Sequence, residues 1–438
     1  MRAKRILPFS LAFSIIILAG VNTAYGQDLN KTYKWNYNVD AGTELILENY
    51  DADIDIHVWD KPEIEFHMII TAEFRNKEDV DDIDSYLRDL EFESTGGKTR
   101  INTRFWNNRT NIFGVSTMIL DGLKTIRYKK FKMECMVWMP ADASIDLKSK
   151  YSDITMDDIG GSLKLDLYND ELYAGSVSGD ASIKAKYSEM SFTGMKDINA
   201  DLYNCELSTG DAGNMKLITK YSGIETLDAG TLDIDSYEDE FIFNSCSDMR
   251  FIAKYSELST GQAGKLIADT YECEFKADKI SKAKITSKYS EFTISDAGIL
   301  LFESSYEDRL DSDNTVSLNI SESKYSDYYI KKLENSLLAK ETYENEIIID
   351  ELGEGIDKFI ADGKYNDIKL GVPSSLNCRI KASIRYPELD ISEELFRTKI
   401  MIKDGSDLEY EGIKGTEKDD MTELVISGYE ISLSVKSY

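Results

Sequence analysis

The sequence predicts an all-β chain wound as a parallel β-solenoid with coils of ~18 residues. Three observations carry this. A tyrosine recurs at positions 151, 168, 187, 203, 221, 237, 255, 271, 289, 306, 325, 343 and 365, at intervals of 16–22 residues. Apolar residues alternate with period 2 on both sides of each tyrosine and change phase at it, which means two short strands joined by a corner. No proline lies between Pro140 and Pro373, as a stack needing every ladder N–H group requires. An antiparallel sandwich of hairpins is the competing fold. It would not need the same corner chemistry in every unit, whereas stacked parallel coils would.

Taken in order, residues 1–26 read as a signal peptide. Arg2, Lys4 and Arg5 precede an apolar run from Ile6 to Val21, and Ala24-Tyr25-Gly26 supplies small residues for cleavage. Residues 27–140 form an N-terminal region with a first coil around Tyr50 and a capping insertion. Within it, Asn76–Leu90 places Val80, Ile83, Leu87 and Leu90 at helical spacing after an Asn-Lys-Glu-Asp start. Residues 141–372 hold the regular coils, which alternate between two types. One reads Lys-Tyr-Ser, as at 150–152, 186–188 and 220–222. The other reads Tyr-(Asn/Glu)-(Asp/Cys/Asn), as at 168–170, 203–205 and 237–239. Residues 373–438 carry further coils at Tyr386 and Tyr429 around a polar segment, about 392–420, expected to cap the other end. No later apolar stretch is long enough to span a bilayer.

Charge excludes several functions. The 51 basic and 80 acidic residues give −29, or −32 once the leader is removed. That argues against nucleic acid as a partner and against a basic membrane-surface module. Only two histidines are present, His57 and His67, which leaves a His-rich metal site or a His-centred catalytic array without material; both are expected to be structural or exposed. The calcium β-roll signature, Gly-x-Ser-x-Gly, His-Glu-x-x-His and a phosphate loop are all missing. The expectation is therefore a non-enzyme with no catalytic, cofactor-binding or metal-binding residues and no cofactor. The tyrosine row reads as corner packing, with the Lys-Tyr-Ser tyrosines in phase with the core; a sugar-stacking strip is the functional alternative. Corner lysines (Lys150, Lys186, Lys220, Lys254, Lys288, Lys324, Lys364) are expected to offset the carboxylates of neighbouring coils. Cys205 and Cys273 share one corner position about 19 Å apart, too far for a disulfide. A Cys135–Cys378 bond has no support in the pattern.

Residues 50–66 (YDADIDIHVWDKPEIEF), and residues 137–147 (VWMPADASIDL) leading into the first Lys-Tyr-Ser coil, resemble the putative-adhesin β-strand-repeat proteins of bacterial envelopes. The resemblance covers most of the chain after the leader, although tyrosine stands where a Ser-Gly corner is usual. It implies a parallel β-helix-like fold, an exported protein and an adhesive role, and it supplies no catalytic residues. Right-handedness comes from this resemblance and from the general preference of parallel crossovers. The resulting expectation is an envelope protein, exported across the inner membrane to the periplasm or surface of a Gram-negative-type bacterium, presenting a repetitive face to a glycan or protein partner. A carbohydrate-active β-helix enzyme and a periplasmic structural or stress-linked scaffold are the alternatives.

Overall fold

A computed structural model describes residues 27–112, 115–120, 124–418 and 421–437. The predicted leader lies outside these residues. The chain divides into two units: a small one built from Ile70–Asp89 and Trp106–Lys132 with the chain start, and a large one from Thr32–Ile69, Leu90–Phe105 and Met133 onward.

The small unit contains the predicted helix, Lys77–Arg88. The Asn76 side chain accepts from the Asp79 N–H at 2.8 Å, Glu78 and Asp79 sit in the positive first turn, and Arg88 sits in the last. Ile83 and Leu87 form its buried stripe. A hairpin, Trp106–Ile112 with Val115–Leu120, pairs antiparallel with residues 125–128. The Arg109 guanidinium lies 5.1, 5.6 and 5.2 Å from the rings of Trp106, Tyr128 and Phe131, so aromatic faces replace part of its hydration.

The large unit is the solenoid. Strands preceding the tyrosine corners pair into one sheet and strands following them into a second. Both sheets are parallel, which excludes the hairpin sandwich. Through the first half of the array the register is one-to-one: Ile145 pairs with Leu163, Leu163 with Ala181, Ala181 with Ile198 and Ile198 with Met215. Further on it shifts at Ile285/Thr286, Thr315/Ser317 and Ala339/Thr342. Inward side chains of the two sheets meet in a dry core. Phe241, Phe251, Phe275, Phe292, Phe302 and Tyr328 run through it with successive ring centroids 5.3–6.3 Å apart. Opposite the tyrosine corner the coils turn again through small residues. A Cβ at Gly210 would meet the Thr193 carbonyl oxygen at 2.0 Å, and one at Gly298 the Ser281 oxygen at 2.1 Å, so this edge stacks backbone directly on backbone.

Both ends depart from simple stacking in chain order. At the N-terminal end, Glu44–Glu48 and Asp53–Trp59 form a coil against Ser144–Lys150 and Asp153–Met156. Outside it lies a split coil: Lys98–Asn102 pairs on the first strand and residues 134–140 on the second. At the C-terminal end the last coil of the sequence, Thr422–Tyr429 with Ser432–Ser437, does not lie last in space. It sits between the coil of Lys358–Lys364 and that of Cys378–Arg385. The hairpin Arg397–Asp404 with Asp407–Lys414 then runs antiparallel along Cys378–Arg385. Parts of both predicted caps therefore extend the β-ladder rather than merely covering it.

Candidate binding stripe

Each tyrosine corner turns through one residue in the left-handed region, and its position shifts by one between the two coil types. In Lys-Tyr-Ser coils the tyrosine itself is left-handed, as at Tyr151, Tyr187, Tyr221 and Tyr255 (φ 57–62°). In the other type the following residue is, as at Asn169, Asn204, Glu238 and Glu272 (φ 50–56°). A left-handed L-residue costs roughly 1–2 kcal/mol, so the repeated strain must be held by the stack. The register shows the consequence: Lys150 pairs with Tyr168, Tyr168 with Lys186, Lys186 with Tyr203 and Tyr203 with Lys220. Tyrosines of the two types leave the backbone from adjacent columns. Their rings interleave edge-to-face instead of lying in one file.

The result is an unbroken ladder. Sixteen tyrosines, from Tyr50 through Tyr365 to Tyr429 and finally Tyr386, are joined by edge contacts with centroids 5.2–5.9 Å apart. Fifteen spacings of ~4.8 Å make it about 70 Å long. Edge-to-face pairs of this kind contribute ~0.5–1.5 kcal/mol each beyond area burial. The rings pack on one another, as expected of corner packing. The expectation that the Lys-Tyr-Ser tyrosines share the core phase is incorrect: these rings are 38–50% exposed. The left-handed φ at the tyrosine reverses the side to which its side chain points, so counting by twos through the corner fails. The tyrosines of the other type are less exposed, and the carboxylate of the next residue together with burial raises the pKa of several, as Glu238 does for Tyr237 and Glu272 for Tyr271.

Beneath the rings runs a buried polar ladder. The residue after the left-handed one in a Lys-Tyr-Ser coil, a serine, pairs in space with Asp, Cys or Asn of the neighbouring coil. Asp170 Oδ1 accepts from the Ser152 N–H at 2.9 Å, and Ser188 Oγ accepts from the Asp170 N–H at 3.1 Å. The same exchange recurs at Ser222, Asp239 and Ser256, and at Ser290, Asp308 and Ser326. These bonds satisfy corner amides that the sheet ladders cannot reach. Burial pushes the Asp170 carboxyl up to about 6 and also raises Asp239 and Asp308, outweighing the donors around each carboxyl, which favour the ionised form. Cys205 and Cys273 stand in for the acid, as the spacing suggested; each thiol lies 3.4 Å from the carbonyl two residues before it, and burial raises its pKa. All five cysteines are buried free thiols, so Cys135 and Cys378 are not bonded.

Charge flanks the ladder in two separate rows. Lysines occupy the strand before the corner in every second coil. A glutamate opens the following strand in nearly every coil: Glu171, Glu189 and Glu206 pair in succession, then Glu240, Glu257, Glu274 and Glu291. The expected offsetting of corner lysines by neighbouring carboxylates is not what forms. Among the described residues, Lys150, Lys186, Lys220, Lys254, Lys288 and Lys364 have no carboxylate within 4.0 Å, and Lys324 pairs with Glu322 of its own coil. Stacking in register places lysine next to tyrosine and glutamate next to glutamate. Lys220 sits 4.5 Å from the Tyr237 ring instead. Burial and the neighbouring Glu189 and Glu240 raise the Glu206 pKa.

Grooves open along this edge. One of about 620 Å³ lies around Cys205, between Tyr187 and Tyr221 and beside Glu189 and Glu206. A second, of about 500 Å³, lies around Cys273 between Tyr255 and Tyr289, beside Glu257 and Glu274. Each is bounded by successive exposed tyrosines two coils apart. At the N-terminal end a third, of about 480 Å³, is lined by Tyr50, Tyr168, Arg104, Lys148, Lys150 and Lys186. Both histidines pack on one ring, His57 at 5.5 Å and His67 at 4.6 Å from Trp138, and His67 also meets Glu65 at 2.5 Å. Sequence spacing could not reveal this, because Trp138 reaches them through strand pairing. Among the described residues no group of three or more His, Cys, Asp or Glu converges as a metal site. No helix among them is long and apolar enough to cross a membrane.

No family model matches the chain, and no curated protein matches it. Among solved structures, a putative cell adhesion protein from Clostridium sporogenes is 8% identical, with 93% of this chain and 100% of that one covered. The TM-score is 0.15, so the likeness carries no argument about fold or function.

Proposed function

We propose that the protein is a non-enzymatic, exported envelope protein whose tyrosine ladder is an adhesive face for a glycan or protein partner. One observation carries the reading: sixteen tyrosines form one continuous edge-to-face ladder, in which the tyrosine of every second coil is 38% or more exposed. Packing alone does not require half-exposed tyrosine at each corner; a smaller residue would turn the chain as well. Aromatic rings with polar tips and low rotamer entropy suit recognition surfaces. The stack supplies rigidity, so little ordering entropy is lost on binding. The predicted leader over residues 1–26 supports export across the inner membrane, and display at the surface is the part of the reading that the protease arm below tests.

The test has two arms. Protease is applied to intact cells, with an antibody to the mature chain and a periplasmic control; digestion with the control spared supports surface display. Beads carrying the mature chain, or a Tyr187→Ser/Tyr221→Ser/Tyr255→Ser variant, are scored on glycan- and protein-coated surfaces. Retention that falls with the variant supports the adhesive face. Protection of the protein until the outer membrane is breached, with equal retention of both beads, overturns it in favour of a periplasmic scaffold.

A further inference from the structure

We infer that the ligand of the tyrosine ladder is an uncharged, extended β-1,4-linked polysaccharide lying parallel to the solenoid axis; this rests on the adhesive reading above. The first argument is period. Tyr151, Tyr187, Tyr221, Tyr255, Tyr289, Tyr325 and Tyr365 form a row of rings 38–46% exposed that repeats every two coils. An equatorially linked β-1,4 pyranose chain advances by nearly one coil spacing per sugar and turns over at each step. Its period is therefore two sugars, and it presents the same sugar face at every second coil. A helical α-1,4 chain or a β-1,3 chain curves away from a straight row, and a peptide strand advances only ~3.3 Å per residue, out of step with coils ~4.8 Å apart.

The second argument is the division of labour between the tyrosines. Rings of the second type wedge between the exposed ones at 5.5–5.9 Å and fix their orientation. The exposed rings are thus positioned in advance. Between them, the grooves around Cys205 and Cys273 bring glutamate carboxylates beside aromatic walls. A sugar ring placed there offers its axial C–H face to tyrosine and its equatorial hydroxyls, as donors, to Glu189 and Glu206 or to Glu257 and Glu274.

The third argument is charge. A polyanion meets the glutamate row and a chain of net charge −29. A polycation meets the lysine row on the opposite flank, including Lys220 at the Tyr237 ring. A neutral polymer rich in hydroxyls is compatible with both rows. Because the ladder is about 70 Å long, affinity should rise with oligosaccharide length well beyond six sugars, as successive coils are engaged.

The experiment is calorimetric titration of the mature chain with cellohexaose and with N-acetylated chitohexaose, alongside maltohexaose, laminarihexaose and deacetylated chitohexaose. Retention on insoluble cellulose and chitin reports the effect of length. The expected result is binding of a neutral β-1,4 oligomer, at least tenfold weaker for the α-1,4 and β-1,3 oligomers. The Tyr187→Ser/Tyr221→Ser/Tyr255→Ser variant should bind at least tenfold more weakly. Glu189→Gln/Glu257→Gln, which keeps every ring, serves as the second variant and should weaken binding by a smaller factor. Far-UV circular dichroism and thermal midpoint check that each variant is folded. Variant-sensitive binding of a different glycan, of the deacetylated oligomer alone, or of a protein surface overturns the β-1,4 assignment and leaves the adhesive face standing. Absence of any variant-sensitive binding overturns both.

Discussion

Asp170 gives the most exacting test of the buried polar ladder. Its carboxyl accepts from Ser152 N–H at 2.9 Å, Tyr168 N–H at 2.8 Å and Ser149 Oγ–H at 3.2 Å, yet burial raises its pKa from 3.8 to about 6. A folded pKa above the unfolded one means that the native state holds its proton more tightly. The associated stability is fully present below the unfolded pKa and is lost as pH rises through about 6. Raising the carboxyl from 3.8 to about 6 corresponds to about 3 kcal/mol lost between roughly pH 4 and pH 6. The perturbation is Asp170→Asn. The amide keeps the acceptor for Ser152 but turns an N–H toward the Tyr168 amide, costing about 1 kcal/mol at every pH. The variant should therefore be weaker than wild type at pH 4 and equal to or stronger than it at pH 7. Repeat arrays unfold in pieces, so the readout is local: amide exchange across residues 150–173, corrected for intrinsic rate, between pH 4 and pH 7. Other carboxylates contribute the same pH dependence to both proteins and cancel in the comparison. Parallel curves would refute the reasoning, because they would mean that the Asp170 carboxylate is already ionised in the folded coil at acidic pH.

Three further outcomes are expected. Phe275→Ala empties the middle of the buried aromatic run and should cost about 3–5 kcal/mol, read as a lowered urea midpoint; a loss under 1 kcal/mol would mean that the coils collapse around the gap. Gly298→Ala puts a methyl 2.1 Å from the Ser281 oxygen and should destabilise by about 1–3 kcal/mol, whereas an unchanged thermal midpoint would show that the second corner yields. Truncation before Thr422 removes the coil that separates the Lys358–Lys364 strand from Cys378–Arg385. Limited proteolysis should then cut within residues 373–421 while the coils from Ser144–Lys150 through Glu274–Lys288 stay protected. Protection of 373–421 in the truncated protein would show that the end coil stacks without its inserted neighbour.

The sequence by itself determined the coil. Tyrosine spacing and period-2 alternation were enough, because in a parallel stack each residue lies beside its counterpart and identical corners must recur. The helix Lys77–Arg88 was legible from its Asn76 cap and apolar stripe, and the Cys205 and Cys273 substitutions from their column. The side of the wall on which Tyr151 or Tyr187 lies was not legible, because one left-handed residue inverts the alternation and its position shifts with coil type. Tyr365 and Tyr386 are both left-handed, so adjacent placement would break the alternation; the Tyr429 coil, left-handed at Glu430, is of the type that fits between them, and there it lies. Only the tertiary structure decided this insertion, the split outer coil at Lys98–Asn102 and residues 134–140, and the meeting of His57 and His67 on Trp138. Each depends on strand pairing across 40–100 residues. Local propensity records which strands can pair, but the choice of partner is set by the packing of the whole stack.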